Sequence, residues 1–238
     1  MIDIHCHILH GVDDGALTLQ DSLKLIKHEI DNGVNSIIMT PHFNKNGEEN
    51  DMYKVIYNFE ELKEIIMLEK LNVKLYLGNE IFLKSDFYDV LEKNNFQTLA
   101  GSNYILVEFY ELSSLKNVAE MCYAAVYLGY IPIIAHAERY YRLFDSLKMI
   151  EYVLNEGALL QINASSITNK KIKYHYKLAH LLIKHKYVSF VASDIHNINL
   201  EQSCLIDAYK IIKRKCGICY ADKIFYENQL KIINNELI

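Results

Sequence analysis

Short apolar runs that suit β-strands alternate with longer segments of helical period along the chain, and no other feature of the sequence constrains the fold as strongly. The runs that qualify as strands are 1–5, 36–41, 73–78, 104–109, 131–135, 158–162 and 187–193. Apolar residues recur on one helical face over 19–32, 52–71, 115–128, 144–155 and 172–185. Parallel strands need crossover connections of this kind, and strands that are apolar throughout are buried on both faces. The alternation predicts an α/β fold with a parallel sheet, and so many units favour a closed or nearly closed barrel.

Glycines mark the ends of three predicted helices. Gly33, Gly129 and Gly157 each follow the last residues of a helical segment. Glycine is common at this position because it adopts the left-handed backbone that ends a helix. We therefore predict C-caps at these three residues.

Nothing in the composition divides the chain into parts. Its 238 residues could form one domain or two, but proline occurs only twice and no linker-like segment is present, so we predict a single domain over 1–238. The first residues lack the regions of a signal peptide, no apolar segment is long enough for a membrane helix, and five cysteines fit a reducing compartment. We expect a cytoplasmic protein without membrane insertion. The net charge of −5 disfavours nucleic acid as a partner, because that role needs a basic surface.

Residues able to bind metal follow six of the seven predicted strands. In an extended strand His5 and His7 share one face and Cys6 points to the other, and a turn-like stretch can return Asp14 to the same rim. In a parallel barrel all C-terminal strand ends lie on one face, so side chains far apart in sequence converge there. The candidate ligands are His5, His7, Asp14, His42, Glu80, Glu108, His136, Asp194 and His196.

Five imidazoles and four carboxylates are too many ligands for one ion and could hold two or three. Mixed nitrogen and oxygen donors suit zinc, manganese, iron or cobalt better than calcium or magnesium. Three divalent ions would outweigh four carboxylates, so the loaded site would attract an anion. We interpret His28, His175, His180 and His185 as ordinary helix residues and leave His10 undecided.

Arginine placement favours a phosphorylated substrate. The chain has three arginines, and Arg139 and Arg142 closely follow His136. A guanidinium there can bind phosphate oxygens in bidentate fashion. No cysteine is followed six positions later by arginine, and no Gly-rich phosphate loop or Gly-x-Ser-x-Gly motif occurs, so the residues favour a metal-dependent phosphomonoesterase.

These motifs together resemble a known superfamily. The segments that carry the resemblance are His5-x-His7 with Asp14-Gly15, Thr40-Pro41-His42, Gly78-Asn79-Glu80, Glu108-Phe109, His136-Ala137-Glu138-Arg139 and Ser193-Asp194-Ile195-His196-Asn197. They are similar to the polymerase and histidinol phosphatase (PHP) superfamily, and most to the manganese-dependent protein-tyrosine phosphatases of bacterial capsule and exopolysaccharide operons (CpsB type). The resemblance implies a distorted (β/α)7 TIM-like barrel with three divalent ions. It further implies a cytoplasmic bacterial enzyme that dephosphorylates a cognate tyrosine kinase, which controls capsular polysaccharide synthesis.

The resemblance also implies roles for individual residues. The first ion would be held by His5, His7, Glu80 and Asp194, the second by Glu80, Glu108 and His136, and the third by Asp14, His42 and His196. Manganese is the expected ion, with zinc, iron or cobalt as alternatives. Arg139 matches the phosphate-binding arginine of the family.

The sequence differs at two places from the family that it resembles. Ala137 stands where relatives usually have proline, and we expect little effect. Relatives usually carry a second active-site arginine beyond the Asp-x-His pair, whereas 197–202 contains none and offers Glu201. Arg142 could take part of that role if it lies with Arg139 on the first turn of a helix.

Two other functions remain open at the level of sequence. A small-molecule phosphatase acting on histidinol phosphate or nucleotides would use the same chemistry, since loops such as 43–51 form the pocket walls. A metal-binding module that binds phosphotyrosine with little turnover is the other alternative, motivated by the missing arginine.

Overall fold

The computed structural model describes residues 1–44, 51–197 and 205–238. All strand pairs found among them are parallel. The strands are β1 (Ile2–Asp3), β2 (Ser36–Met39), β3 (His42–Phe43), β4 (Lys74–Leu77), β5 (Glu80–Phe82), β6 (Tyr104–Glu108), β7 (Ile131–Ile134), β8 (Leu159–Asn163) and β9 (Val188–Ala192). They follow the predicted runs closely.

Two of the predicted strands are each interrupted once. Thr40 and Pro41 separate β2 from β3, and Gly78 and Asn79 separate β4 from β5, so hydrogen bonding divides into the orders β1-β2-β4 and β3-β5-β6-β7-β8-β9. Proline has no N–H to continue a ladder. The backbone still joins the two parts, because Gly78 N donates to Met39 O at 2.8 Å and Glu80 N to Pro41 O at 3.2 Å. They form one continuous wall.

The wall closes on itself between its first and last strands. Cys6 and Ile195 form a parallel bridge, Asp194 N donates to His5 O at 2.8 Å, and His7 N donates to Ile195 O at 2.9 Å. The predicted distorted seven-unit barrel is confirmed, with the segments on either side of each interruption counted as one strand.

Helices cover the outside of the barrel. They are α1 (Leu19–Asp31), α2 (Met52–Leu68), α3 (Phe87–Lys93), α4 (Leu115–Tyr127), α5 (Leu147–Asn155), α6 (Ala164–Thr168), α7 (Lys173–Lys184), α8 (Leu205–Cys216), α9 (Ile218–Asp222) and α10 (Asn228–Asn234), with a π-helical turn at Lys223–Glu227. All five predicted helices are present, although the fourth begins at Leu147 instead of 144. The predicted caps Gly33, Gly129 and Gly157 have φ of 82°, 89° and 88°.

The core has two parts. The smaller cluster takes buried residues from strands around the ring, including Ile2, Leu106, Ile133 and Phe190, and therefore fills the barrel interior. Ile232 of α10 belongs to the same cluster. The larger cluster packs the outer faces of the strands against the helices. In the parts of the chain that the structure describes, no helix has the length and apolar character needed to cross a membrane.

Candidate metal centre

The nine predicted ligands converge at the C-terminal ends of the strands. Three groups bring their donor atoms within 4.8 Å of one another: His7, Asp14, His42 and His196; His5, His7 and Glu80; and His42, Glu80 and Glu108. His136 and Asp194 join through contacts with members of these groups, described below. The predicted convergence is therefore present, and the roles of the residues as ligands stay a prediction.

His5 and His7 direct one ring nitrogen each into the centre. Their Nε2 atoms lie 3.3 Å apart. His7 Nδ1 lies 2.7 Å from a carboxylate oxygen of Asp13, which can only accept. His5 Nδ1 lies 3.0 Å from Gln161 Oε1, and that atom must be an acceptor because His136 N–H donates to it at 2.8 Å. Both Nδ1 atoms thus carry protons, which leaves the Nε2 lone pairs of the neutral rings available to a metal.

Glu80 lies at the middle of the cluster. Its Oε1 is 3.3 Å from His5 Nε2 and 2.8 Å from His136 Nε2, and its Oε2 is 2.8 Å from His42 Nδ1 and 3.4 Å from His7 Nε2. His136 Nε2 is also 3.4 Å from Glu108 Oε1. A buried carboxylate in contact with four imidazoles has the position expected of a bridging ligand.

Asp14 and His196 form the more exposed side of the centre. Asp14 Oδ1 lies 3.2 Å from His42 Nε2 and 3.5 Å from His196 Nε2, and the rings of His7 and His196 stack with centroids 4.0 Å apart. The Asp14 side chain is 63% exposed. This side of the centre therefore opens to solvent.

Asp194 connects the centre to Arg139. Its Oδ1 lies 3.3 Å from His5 Nε2 and 3.5 Å from His7 Nε2. Its Oδ2 accepts a short hydrogen bond from the Arg139 guanidinium and another, of 2.7 Å, from Asn163 Nδ2. The arginine is thereby fixed at the edge of the cluster, and its role in phosphate binding stays a prediction.

Two candidate ligands have a left-handed backbone. His136 has φ of 33° and Asp194 has φ of 55°. Such values are uncommon outside glycine and concentrate at functional sites, where the surrounding structure holds them. The unusual backbone redirects both side chains after strands β7 and β9 end.

The donor set fits divalent cations. Ligands of one ion at about 2.1 Å lie roughly 3.0–3.4 Å from one another, close to the distances between nitrogen and oxygen atoms here. Without a cation, lone pairs of His5 and His7 would face each other and the carboxylates of Glu80 and Asp194. Burial would lower the pKa of His5, but Glu80 and Asp194 raise it to about 9, so in the metal-free protein a proton takes the place of a cation.

Polar residues that sequence reasoning missed support the ligands from behind. Gln161 contacts His5 and His136, and its Nε2 donates to Asn163 Oδ1 at 2.9 Å. Asp13 contacts His7, and although burial opposes it, the hydrogen bond from His7 lowers the pKa of Asp13 to about 2. Gln161 lies inside β8. The one sequence signal for its role is that a polar amide interrupts an otherwise apolar strand.

Arg142 lies apart from the Arg139 turn. That 3₁₀ turn spans Ala137–Arg139, so the two arginines do not share a helical turn. The Arg142 guanidinium is 5.8 Å from the centroid of the Tyr141 ring, and the residue is exposed. Its predicted share in phosphate binding stays a prediction. The loop interpretations of 43–51 and 197–202 fall largely on 45–50 and 198–202, outside the described residues.

Comparison with known proteins places the chain in a family. A family model described as capsular polysaccharide synthesis, CpsB/CapC, matches residues 1–234. The chain belongs to the CpsB/CapC family. Tyrosine-protein phosphatase CpsB of Streptococcus agalactiae serotype V is 34% identical over 243 residues, covering 100% of both chains. Tyrosine-protein phosphatase YwqE of Bacillus subtilis is 30% identical, covering 91% of this chain and 85% of that protein.

A solved structure of the CpsB/CapC family has the same fold. It comes from work on YwqE of Bacillus subtilis and CpsB of Streptococcus pneumoniae, described as metal-dependent tyrosine phosphatases. The two structures superpose with a TM-score of 0.92 at 28% identity, covering 100% of this chain and 96% of the other. The expected superfamily resemblance is thereby confirmed.

Proposed function

We propose that this CpsB/CapC protein is a metal-dependent protein-tyrosine phosphatase. The observation that carries the proposal is the convergence of nine metal-binding side chains at one rim, with Arg139 fixed beside them by Asp194. The names of its relatives support the same activity.

The centre is proposed to hold three divalent ions, with manganese as the expected metal. His5, His7, Glu80 and Asp194 would hold one ion, Glu80, Glu108 and His136 a second, and Asp14, His42 and His196 a third. The close contacts of Glu80 with four imidazoles support its role as a bridge. Bound divalent cations would act as Lewis acids that lower the pKa of a water and neutralise phosphate oxygens.

The side chains of this protein bind and orient the phosphate. Arg139 donates hydrogen bonds to phosphate oxygens from a position held by Asp194, and so stabilises charge that shifts during the reaction. Hydrolysis forms a bond from phosphorus to the water oxygen and breaks the bond to the tyrosyl oxygen, which leaves with its electron pair and takes up a proton. Because a phenol has a pKa of about 10, the leaving group needs little help from a general acid.

The physiological substrate is proposed to be a cognate bacterial tyrosine kinase that controls capsular or exopolysaccharide synthesis. The family description, capsular polysaccharide synthesis, supports this context. Such a kinase makes phosphotyrosine where ATP is present, so the phosphatase is proposed to act in the cytoplasm.

Metal analysis combined with a substrate panel tests the proposed activity. We expect purified protein supplied with manganese to release phosphate from phosphotyrosine peptides faster than from histidinol phosphate or nucleotides. Faster turnover of a small molecule would assign the chain to the alternative phosphatase class. Binding of a phosphotyrosine peptide with no release of phosphate would support a binding module.

The Arg139→Ala variant tests the assigned phosphate contact. We expect kcat to fall about 10²–10³-fold, because a charge-stabilising donor is lost at the reacting group. Metal content should stay unchanged, since Asp194 Oδ2 keeps its hydrogen bond of 2.7 Å from Asn163 Nδ2. Arg214→Ala is the matched control, because Arg214 is exposed in the last turn of α8. Equal rates for both variants would contradict the role of Arg139.

A further inference from the structure

Among the cavities formed by the described residues, two border the metal centre on different sides. The first, here called the Arg139 cavity, has a volume of about 430 Å³ and is lined by Arg139, Ser165, Asn169, Ile172, His175 and others. The second, the His196 cavity, has a volume of about 370 Å³ and is lined by Asp14, Leu17, Lys24 and His196 among others. Either could receive the part of a substrate that extends away from its phosphate.

Arg139 joins only the first of these cavities to the centre. Its guanidinium contacts Asp194 on one side, and its side chain is 34% exposed and lines the cavity on the other. A phosphate bound by this guanidinium therefore lies at the inner end of the Arg139 cavity. The group esterified to that phosphate then extends into the same space.

Charge also separates the two cavities. The Arg139 cavity is lined by the cations Arg139 and Lys171 and the carboxylate Glu111. The His196 cavity is lined by the carboxylates Asp14 and Asp21 and the cation Lys24. A phosphate monoester is a dianion, so it is attracted more strongly to the first cavity.

The walls of the Arg139 cavity suit an aromatic ring with a polar surround. Ile172 offers an aliphatic surface that is 56% exposed, while Ser165 and Asn169 offer polar groups beside it. A volume of about 430 Å³ lies within the range of roughly 300–1,000 Å³ that is usual for small-ligand sites. This is more than a phosphate alone requires.

We propose that the Arg139 cavity binds the tyrosyl ring of the substrate and that Ile172 is a specificity-determining contact of that ring. The proposal rests on the proposed phosphatase function, and it names the leaving-group site which that function requires. His175, which the sequence assigned to an ordinary helix, becomes part of the wall of this site.

Binding of two phosphonates tests the cavity without any turnover. Phenylphosphonate and methylphosphonate share the charged group and differ in the aromatic ring. We expect the manganese-loaded protein to bind phenylphosphonate more tightly, and Ile172→Ser to reduce this preference about fivefold through loss of apolar contact. Serine is a favourable residue at the N-cap position that Ile172 occupies before α7, so the helix start is preserved.

Leu17→Ser is the matched control, because Leu17 is an exposed aliphatic residue of the His196 cavity. We expect this variant to keep the wild-type ratio of the two dissociation constants. Loss of the ratio in Leu17→Ser with retention in Ile172→Ser would overturn the proposal, as would equal binding of both phosphonates by the wild type. A peptide assay run in parallel keeps the two proposals distinct, since failure to hydrolyse phosphotyrosine refutes the function and not the ring-binding site.

Discussion

Gln161 links two candidate ligands through one carbonyl oxygen. Its Oε1 accepts from His5 Nδ1 at 3.0 Å and from the backbone N–H of His136 at 2.8 Å. An acceptor in this position selects the tautomer of His5 that directs Nε2 inward. The residue is fully buried, so it contacts the centre and not the substrate.

Replacement of Gln161 should weaken metal binding. We expect Gln161→Leu to raise the dissociation constant for manganese about 10–100-fold, because the His5 ring loses its partner. Calorimetric titration of the metal-free protein measures this. Gln161→Glu keeps the acceptor oxygen and should retain more of the affinity than the leucine variant. Unchanged affinity in Gln161→Leu would contradict the positioning role.

Metal binding should release protons from the histidines. Glu80 and Asp194 raise the pKa of His5 to about 9 against the opposing effect of burial, so the ring is protonated at pH 7 in the metal-free protein. A metal requires the neutral ring, so we expect release of about one proton from His5 at pH 7 and an affinity that increases up to about pH 9. Calorimetry in two buffers of different ionisation enthalpy measures the proton count. The same shift stabilises the metal-free fold below pH 6.5, and that stabilisation is lost as pH rises through about 9.

At the level of elements, the loop after β1 depends on close backbone packing. A Cβ at Gly15 would lie 2.0 Å from His7 O and 2.6 Å from His7 Cβ. The loop is fixed there because Ala16 N donates to His7 O at 3.0 Å and Gly15 N to Asp13 Oδ1 at 3.0 Å. Only glycine allows this approach, which brings Asp14 to the centre.

We expect Gly15→Ala to displace this loop and to reduce both metal affinity and thermal stability. Gly33→Ala provides the comparison, because its added Cβ meets only Met1 Cε at 3.8 Å and the cost comes from a φ of 82°. We expect this backbone strain to lower the free energy of unfolding by about 1 kcal/mol and to leave the metal affinity unchanged. Differential scanning calorimetry and metal titration of both variants separate crowding from backbone strain. Similar metal affinity in the two variants would show that the loop tolerates the change.

Sequence patterns predicted the elements well where burial is uniform. The apolar strands and the amphipathic helices α1, α2, α4 and α7 were located within a few residues, because both periods are set by packing on the barrel. The interruption at Thr40-Pro41 was not predicted, although Pro41 was a signal for it. The five predicted helical segments did not include α3, α6, α8, α9 and α10. The positions of the short helices among them depend on contacts with the barrel and not on a local repeat.

At the level of the whole molecule, the candidate ligands cross-link the barrel rim. They follow strands around the ring, while the bridge between Cys6 and Ile195 closes the wall next to four of them. We expect removal of metal by a chelator to lower the melting temperature, because binding energy available only to the folded chain is lost. Calorimetry before and after addition of manganese measures the change. A melting temperature independent of metal would contradict the clustered site.

The position of the candidate metal centre could be predicted from the ends of the strands. The residues that hold the candidate ligands in place could not. Nine ligands could be proposed because parallel strands bring their C-terminal ends to one face. Tertiary packing determines the left-handed backbone of His136 and Asp194, the position of the Gln161 amide and the cavity beside Arg139. Such packing produces no periodic pattern in the sequence. The extent of a single domain over 1–238 stays a prediction.

The bridge between Cys6 and Ile195, which closes the barrel wall, also determines when during synthesis the metal centre can form. His5 and His7 are translated long before Asp194 and His196, which follow only after most of the strands of the barrel. Because the same short stretch closes the wall and completes the set of candidate ligands, a nascent chain cannot assemble that set early. We therefore expect the proposed phosphatase activity to appear only with the finished fold, and incomplete translation products to lack it.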